Sequence, residues 1–145
     1  MPRVERETYV GRPPREVFRL LRDAGRAPLW QTNLVEMRAQ EPGPLREGSV
    51  VTEVRSFLGR RVEGRTLVTE CDEGAGVFAV RNETGPVRFR CRFTVEAQGE
   101  GSRVRCRFEV EARGPVALLR GAVQRALEAD MGRSLERLRR LLEEG

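Results

Sequence analysis

A strand-like stretch over residues 4–10 runs straight into Pro13-Pro14, and the chain ends in one long amphipathic helix. Proline presets φ for a first helical turn and has no N–H to lose there. The pair therefore opens a helix, with Val17, Phe18, Leu20 and Leu21 on its inner side. Gly25 is the expected stop. Pro28 then begins a second short helix carrying Leu29 and Trp30, and residues 34–41 return to strand before the turn Glu41-Pro42-Gly43-Pro44. From there to Gly114-Pro115 the pattern is that of strands. Beyond it, Val116, Leu119, Val123, Leu127, Met131, Leu135, Leu138 and Leu142 form one helical stripe. Gly121 and Gly132 each weaken this helix by about 1 kcal/mol relative to alanine and are expected at exposed positions. Strands that follow one another without intervening helices give an antiparallel sheet whose apolar face needs a cover. The final helix is long enough to be that cover.

Charge and parity suggest the registers. With Leu58-Gly59-Arg60 as a three-residue loop, Arg55 faces Glu63, Glu53 faces Arg65 and Val51 faces Leu67 on one surface. Val50, Thr52, Val54 and Ser56 then meet Val62, Gly64, Thr66 and Val68 on the other, inward surface. Pairing Asn82 with Val87 across Glu83-Thr84-Gly85-Pro86 turns Phe78, Val80 and Asn82 inward. In the last hairpin Phe89, Cys91, Phe93 and Val95 share the inner face with Val104, Cys106, Phe108 and Val110. Glu96 opposite Arg103 then sets Arg90 by Glu109 and Arg88 by Glu111, leaving Arg92 and Arg107 as a like-charged pair.

All 27 basic residues are arginine, and lysine, histidine and isoleucine are absent. That alphabet is what a G+C-rich coding sequence produces, so the net charge of +5 says little about partners. The outer stripe Arg88, Arg90, Arg92, Arg103, Arg105 and Arg107 invites a phosphate or nucleic acid. Most of it has an acid or a neutral residue opposite, and no aromatics interleave to stack bases. Nucleic acid is not the expected partner. The absence of histidine removes the commonest general base and metal ligand. Cys71, Cys91 and Cys106 lack metal or redox spacing, so neither a metal nor a cofactor is expected, and an odd set of reduced thiols fits the cytoplasm. Arg3 and Glu5 stand where a signal peptide would be apolar, and no apolar run has membrane-spanning length. Oligomeric state is left open.

The segment Tyr9-Val10-Gly11-Arg12-Pro13-Pro14-Arg15-Glu16-Val17-Phe18 resembles the I-x-A-P-P-E-x-V-F opening of the START-like (SRPBCC) superfamily, which includes polyketide cyclases, aromatases and lipid-transfer domains. Gly48-Ser49, Val68-Thr69-Glu70 and Leu135-Glu136-Arg137-Leu138 are similar to what those proteins show at matching places. Arg12 departs from the small residue usual there. The resemblance implies one domain over residues 1–145 with the α+β helix-grip fold. Its curved antiparallel sheet of about seven strands wraps on the C-terminal helix, with two short helices after the first strand.

In such a fold a ligand sits between sheet and helix. The inward polar candidates are Thr52, Ser56, Thr66, Asn82, Cys91 and Cys106, and Asn82 most needs a partner because an amide has several bonds to satisfy. Phe78, Phe89 and Phe108 from the sheet and Val123, Leu127 and Met131 from the helix supply apolar lining, and Trp30 with Leu29 and Leu58-Gly59 is placed at the mouth. No carboxylate or tyrosine falls on the inward parity in mid-strand, and Arg6, Tyr9, Glu70 and Asn82 are the remaining candidates for acid-base work. The expected function is binding or transport of a hydrophobic small molecule: a lipid, a quinone or a polyketide-like compound. The alternatives are a cyclase, aromatase or dehydratase using the same cavity, or an interaction module with a basic sheet face.

Overall fold

The computed structural model describes residues 3–57, 59–84, 87–112 and 118–145. Leu58, Gly85-Pro86, Gly114-Pro115 and Val116 lie outside the described residues. Strand β1 (Arg3–Val10) is followed by α1 (Pro14–Leu21), a 3-10 turn (Ala24–Arg26) and α2 (Ala27–Trp30). Strands β2 (Leu34–Ala39), β3 (Val50–Phe57), β4 (Arg60–Asp72), β5 (Val77–Asn82), β6 (Val87–Gln98) and β7 (Gly101–Ala112) come next, and α3 (Arg120–Glu144) ends the chain. The seven strands form one antiparallel sheet in the order β1-β7-β6-β5-β4-β3-β2. This is the expected helix-grip arrangement, with the first strand beside the last.

Pro13 caps α1 and Pro14 opens it, and Val17, Phe18, Leu20 and Leu21 are all buried. The helix ends before Gly25, which sits within the 3-10 turn where the Asp23 side chain accepts from Arg26 N. The stop comes early because residue 22 is tied elsewhere: its carbonyl accepts from Leu45 N at 2.9 Å, and its Nε donates to Leu45 O at 2.7 Å. Leu45, carried past the Pro-Gly-Pro turn, plugs this end of the core.

The β6–β7 register is the one expected: Glu96 faces Arg103, Arg90 faces Glu109, Arg88 faces Glu111 and Arg92 faces Arg107. Between β5 and β6 the pairing is shifted by two residues, Val80 facing Cys91. A shift of two keeps parity, so Phe78, Val80 and Asn82 stay inward.

The β3–β4 register differs by one residue. Phe57 pairs with Arg60, Val54 with Glu63 and Val51 with Thr66, and Gly59, just before Arg60, has φ +77°. A slip of one exchanges the faces of β3. Val51, Glu53 and Arg55 turn inward, while Thr52 and Ser56 go to the outer face. Cross-strand charge pairs, at roughly 0.2–1 kcal/mol each, are too weak to hold the expected register against the left-handed φ of Gly59 and the burial of Val51.

Helix α3 buries Val123, Met131, Leu135 and Leu138, with Leu127 and Leu142 partly covered and Leu119 exposed before its first turn. Gly121 and Gly132 are exposed, and a Cβ there would meet nothing. Arg12 reaches across to this helix: its Nε donates to Leu142 O at 3.0 Å and its Nη2 to Glu143 O at 3.4 Å, while Gly11 N donates to the Glu143 carboxylate at 2.7 Å. The residue that departs from the family pattern closes the C-terminal end of α3.

Candidate functional site

The interior has two unlike ends. Toward the C-terminal half of α3 it is filled: Val10, Val17, Phe18, Val68, Val104 and Leu138 are almost wholly buried, and Phe18 meets Phe78 edge-on at 6.3 Å. Trp30 belongs to this packed part. It is 3% exposed and edge-on to Phe93 at 5.9 Å, whereas neighbouring Leu29 is 59% exposed. Toward the N-terminal half of α3 the cover is mixed: Val110, Val123 and Met131 are buried, while Val80, Asn82, Phe89 and Phe108 on the sheet and Leu127 on the helix are only partly covered. Phe89 and Phe108 stack with centroids 5.1 Å apart and planes at 18°. Half-covered aromatic and aliphatic groups below a helix are the kind of wall that a hydrophobic ligand completes.

Beside this wall stands a polar chain that the sequence reading missed. Glu53 is 6% exposed on the inner face, opposite Gly64. Arg55, two residues on and on the same face, donates Nε to Glu53 Oε2 at 2.9 Å, Nη1 to Asn33 Oδ1 at 2.8 Å and Nη2 to Gln31 Oε1 at 2.7 Å. Asn33 Nδ2 in turn donates to Asp130 on α3 at 3.4 Å, and Thr32 N donates to Ser134 Oγ at 3.1 Å. The segment between α2 and β2 is thereby bound to both sheet and helix. Trp30 Nε1 and Thr32 Oγ1, next to Gln31, are buried without a hydrogen-bond partner among the described residues. The absence of an inward carboxylate is therefore corrected: Glu53 is one. The signal for it was the opposite-charge pair Glu53 and Arg55 at a spacing of two after Val51, legible once Phe57 is set opposite Arg60.

The other expected residues fall as follows. Thr66 is buried facing inward, and Phe78, Val123 and Met131 are in the packed core. Thr52 and Ser56 are on the outer face. Asn82 already has partners in its own turn: Oδ1 accepts from Phe89 N at 2.8 Å, and Nδ2 donates to Thr84 O at 3.0 Å. Cys91 and Cys106 lie on the inner face with Sγ atoms 3.4 Å apart, and contact with Cys91 together with burial pushes the Cys106 thiol well above its ordinary range. Cys71 is partly buried, and burial raises its thiol too. Among the acid-base candidates, Arg6 is inward but near Glu128 of α3 at 3.6 Å, Tyr9 is exposed, and Glu70 pairs with Arg92 on the surface.

The outer arginines are largely engaged. Arg107 pairs with Glu5 at 2.7 Å, holding that carboxyl below its ordinary range, and Arg103 and Arg105 share Glu7. Among the described residues no helix is long and apolar enough to cross a membrane, and no group of three or more acidic or cysteine side chains is placed to hold a metal.

A curved sheet gripping a long helix, half-covered toward one end of that helix, defines a START-type helix-grip domain. The chain belongs to the polyketide cyclase/dehydrase and lipid transport family, whose model matches residues 1–143. The fold is similar to that of TTHA0849 from Thermus thermophilus, at TM-score 0.86 and 22% identity over 99% of this chain and 98% of that one. A START superfamily protein from Mycobacterium smegmatis matches at TM-score 0.77 and 16% identity, over 97% of this chain and 98% of that one. The di-domain ARO/CYC BexL of the BE-7585A biosynthetic pathway matches at TM-score 0.79 and 20% identity, over 99% of this chain and 47% of BexL. This chain thus spans about half of that two-domain protein. No curated protein sequence matches.

Proposed function

We propose that this chain, as one cytoplasmic domain, binds or carries a hydrophobic small molecule (a lipid, quinone or polyketide-like compound) between the inner face of the sheet and α3. One observation carries the reading: Val80, Phe89, Phe108 and Leu127 stay only partly covered although strand parity and the helix stripe turn them toward the interior. Each methylene buried there contributes about 0.8 kcal/mol, so micromolar affinity needs on the order of ten such groups before ordering losses. Native mass spectrometry of the purified chain, with organic extraction, should find a discrete hydrophobic mass. A chain that is empty and takes up no member of a mixed lipid, quinone and aromatic ketone panel would overturn the reading.

Glu53 and Arg55 favour a second reading, a cyclase, aromatase or dehydratase. A carboxylate beside a guanidinium inside an apolar site can take a proton and stabilise the enolate left behind. Its test is water loss from a bound poly-ketone, abolished by Glu53→Gln while the compound still binds. A chain that binds the poly-ketone and never changes its mass would remove this reading and leave the first.

A further inference from the structure

We infer that the site selects uncharged ligands that carry one hydrogen-bond acceptor, a ketone, ester or alcohol, and rejects the matching carboxylic acids. The inference rests on the ligand-binding reading and names the class of its ligand.

Charge balance and unused donors set this preference. Arg55 is the cation a carboxylate would seek on the inner face of β3, and Glu53 on the same face already neutralises it at 2.9 Å. Asp130, which accepts from Asn33, is matched as well, by Arg133. A carboxylate entering this end would meet Glu53, 6% exposed, and no unmatched cation among these groups. Desolvation would then oppose it without a Coulombic return. A neutral acceptor meets no such obstacle. A guanidinium has five N–H groups, and among the described residues three of Arg55's are taken, by Glu53, Asn33 and Gln31. Unmet donors in an electrically balanced site fit a carbonyl or hydroxyl oxygen. The stacked pair Phe89 and Phe108 makes a flat aromatic body a suitable carrier of that oxygen.

Calorimetric titration of the full chain with naphthol, methyl naphthoate and naphthoate at neutral pH tests this. The two neutral compounds should bind at least about tenfold more tightly than naphthoate, the ester serving to separate charge from size. Glu53→Gln keeps an oxygen for Arg55 but removes the neutralising charge. The affinity of naphthoate relative to naphthol should rise about tenfold or more in that variant. Naphthoate binding the unaltered chain as well as naphthol would overturn the inference and leave ligand binding intact, whatever the variant does. An unchanged ratio in a folded Glu53→Gln protein would also overturn it. Binding of none of the three, together with an empty purified chain, would remove the ligand-binding reading itself.

Discussion

Replacing Arg55 by methionine tests whether the interior holds a real ion pair. The substitution keeps an apolar stem of similar length and removes three charge-assisted bonds, to Glu53, Asn33 and Gln31. The Glu53 side chain is 7% exposed and that of Arg55 27%. Breaking a fully buried pair from one side costs about 3–5 kcal/mol, because the remaining charge is stranded. Partial exposure of Arg55 and access of water to Gln31 and Asn33 reduce this to roughly 2–4 kcal/mol. With a urea slope of about 2 kcal/mol/M, the unfolding midpoint should fall by about 1–2 M. The double variant Glu53→Leu, Arg55→Met removes both charges and should recover most of the loss, since apolar replacements of buried pairs are often neutral. Urea unfolding followed by circular dichroism of the native, single and double variants decides the matter. A single-variant loss under about 1 kcal/mol would mean the pair is effectively solvated; a double variant as unstable as the single would mean that packing, not stranded charge, sets the loss.

Three further outcomes can be checked. Arg12→Ala removes two bonds to the last carbonyls of α3 and should lower stability by about 1–2 kcal/mol, with faster amide exchange confined first to the final turn. In the native chain Cys91 and Cys106 should resist a thiol reagent, being buried and, for Cys106, held protonated, while partly exposed Cys71 reacts first; rapid labelling of all three would contradict the inward parity of β6 and β7. Hydrogen bonding to Arg139, then Arg140, lowers the Glu136 carboxyl from its ordinary value near 4.5 to about 2. Its folded value is the lower one, so its stabilisation is present above about 4.5 and is lost as pH falls toward about 2. The gap in melting temperature between native chain and Glu136→Gln should close over that window and shrink in high salt, the pair being surface-exposed.

The β6–β7 hairpin was legible because two signals agree there: apolar residues at every second position and acids opposite arginines on the outer face. In β3 they conflict. Valines occupy positions 50, 51 and 54, so apolar parity is ambiguous, and opposing charges such as Glu53 with Arg65 made the wrong register attractive. The parity of Phe89 and Phe108 and the helix stripe of Leu127 were legible because periodicity sets them without reference to β3. The polar chain was not, because Gln31 and Asn33, which take up the donors of Arg55, arrive from the segment after α2 and follow no period. Asn82 was rightly given inward parity and a need for partners; that those partners lie in its own turn depended on where β6 begins.

The place of β1 bears on how the chain comes to be folded at all. Its neighbour in the sheet is β7, with partners such as Arg3 and Glu109 about a hundred residues apart, and the helix that also packs on it comes later still. The first strand of this domain to be synthesised is thus among its last to be paired. Until residues 101–112 are made, β2 to β6 can assemble as successive hairpins, while β1 waits with its backbone groups solvated. Closure of so long a loop adds only slowly to the entropic cost, but it must be met before the contacts that repay it form. Nascent chains cut before β7 should therefore expose the apolar positions Val4 and Val10, which in the finished protein are sealed inside.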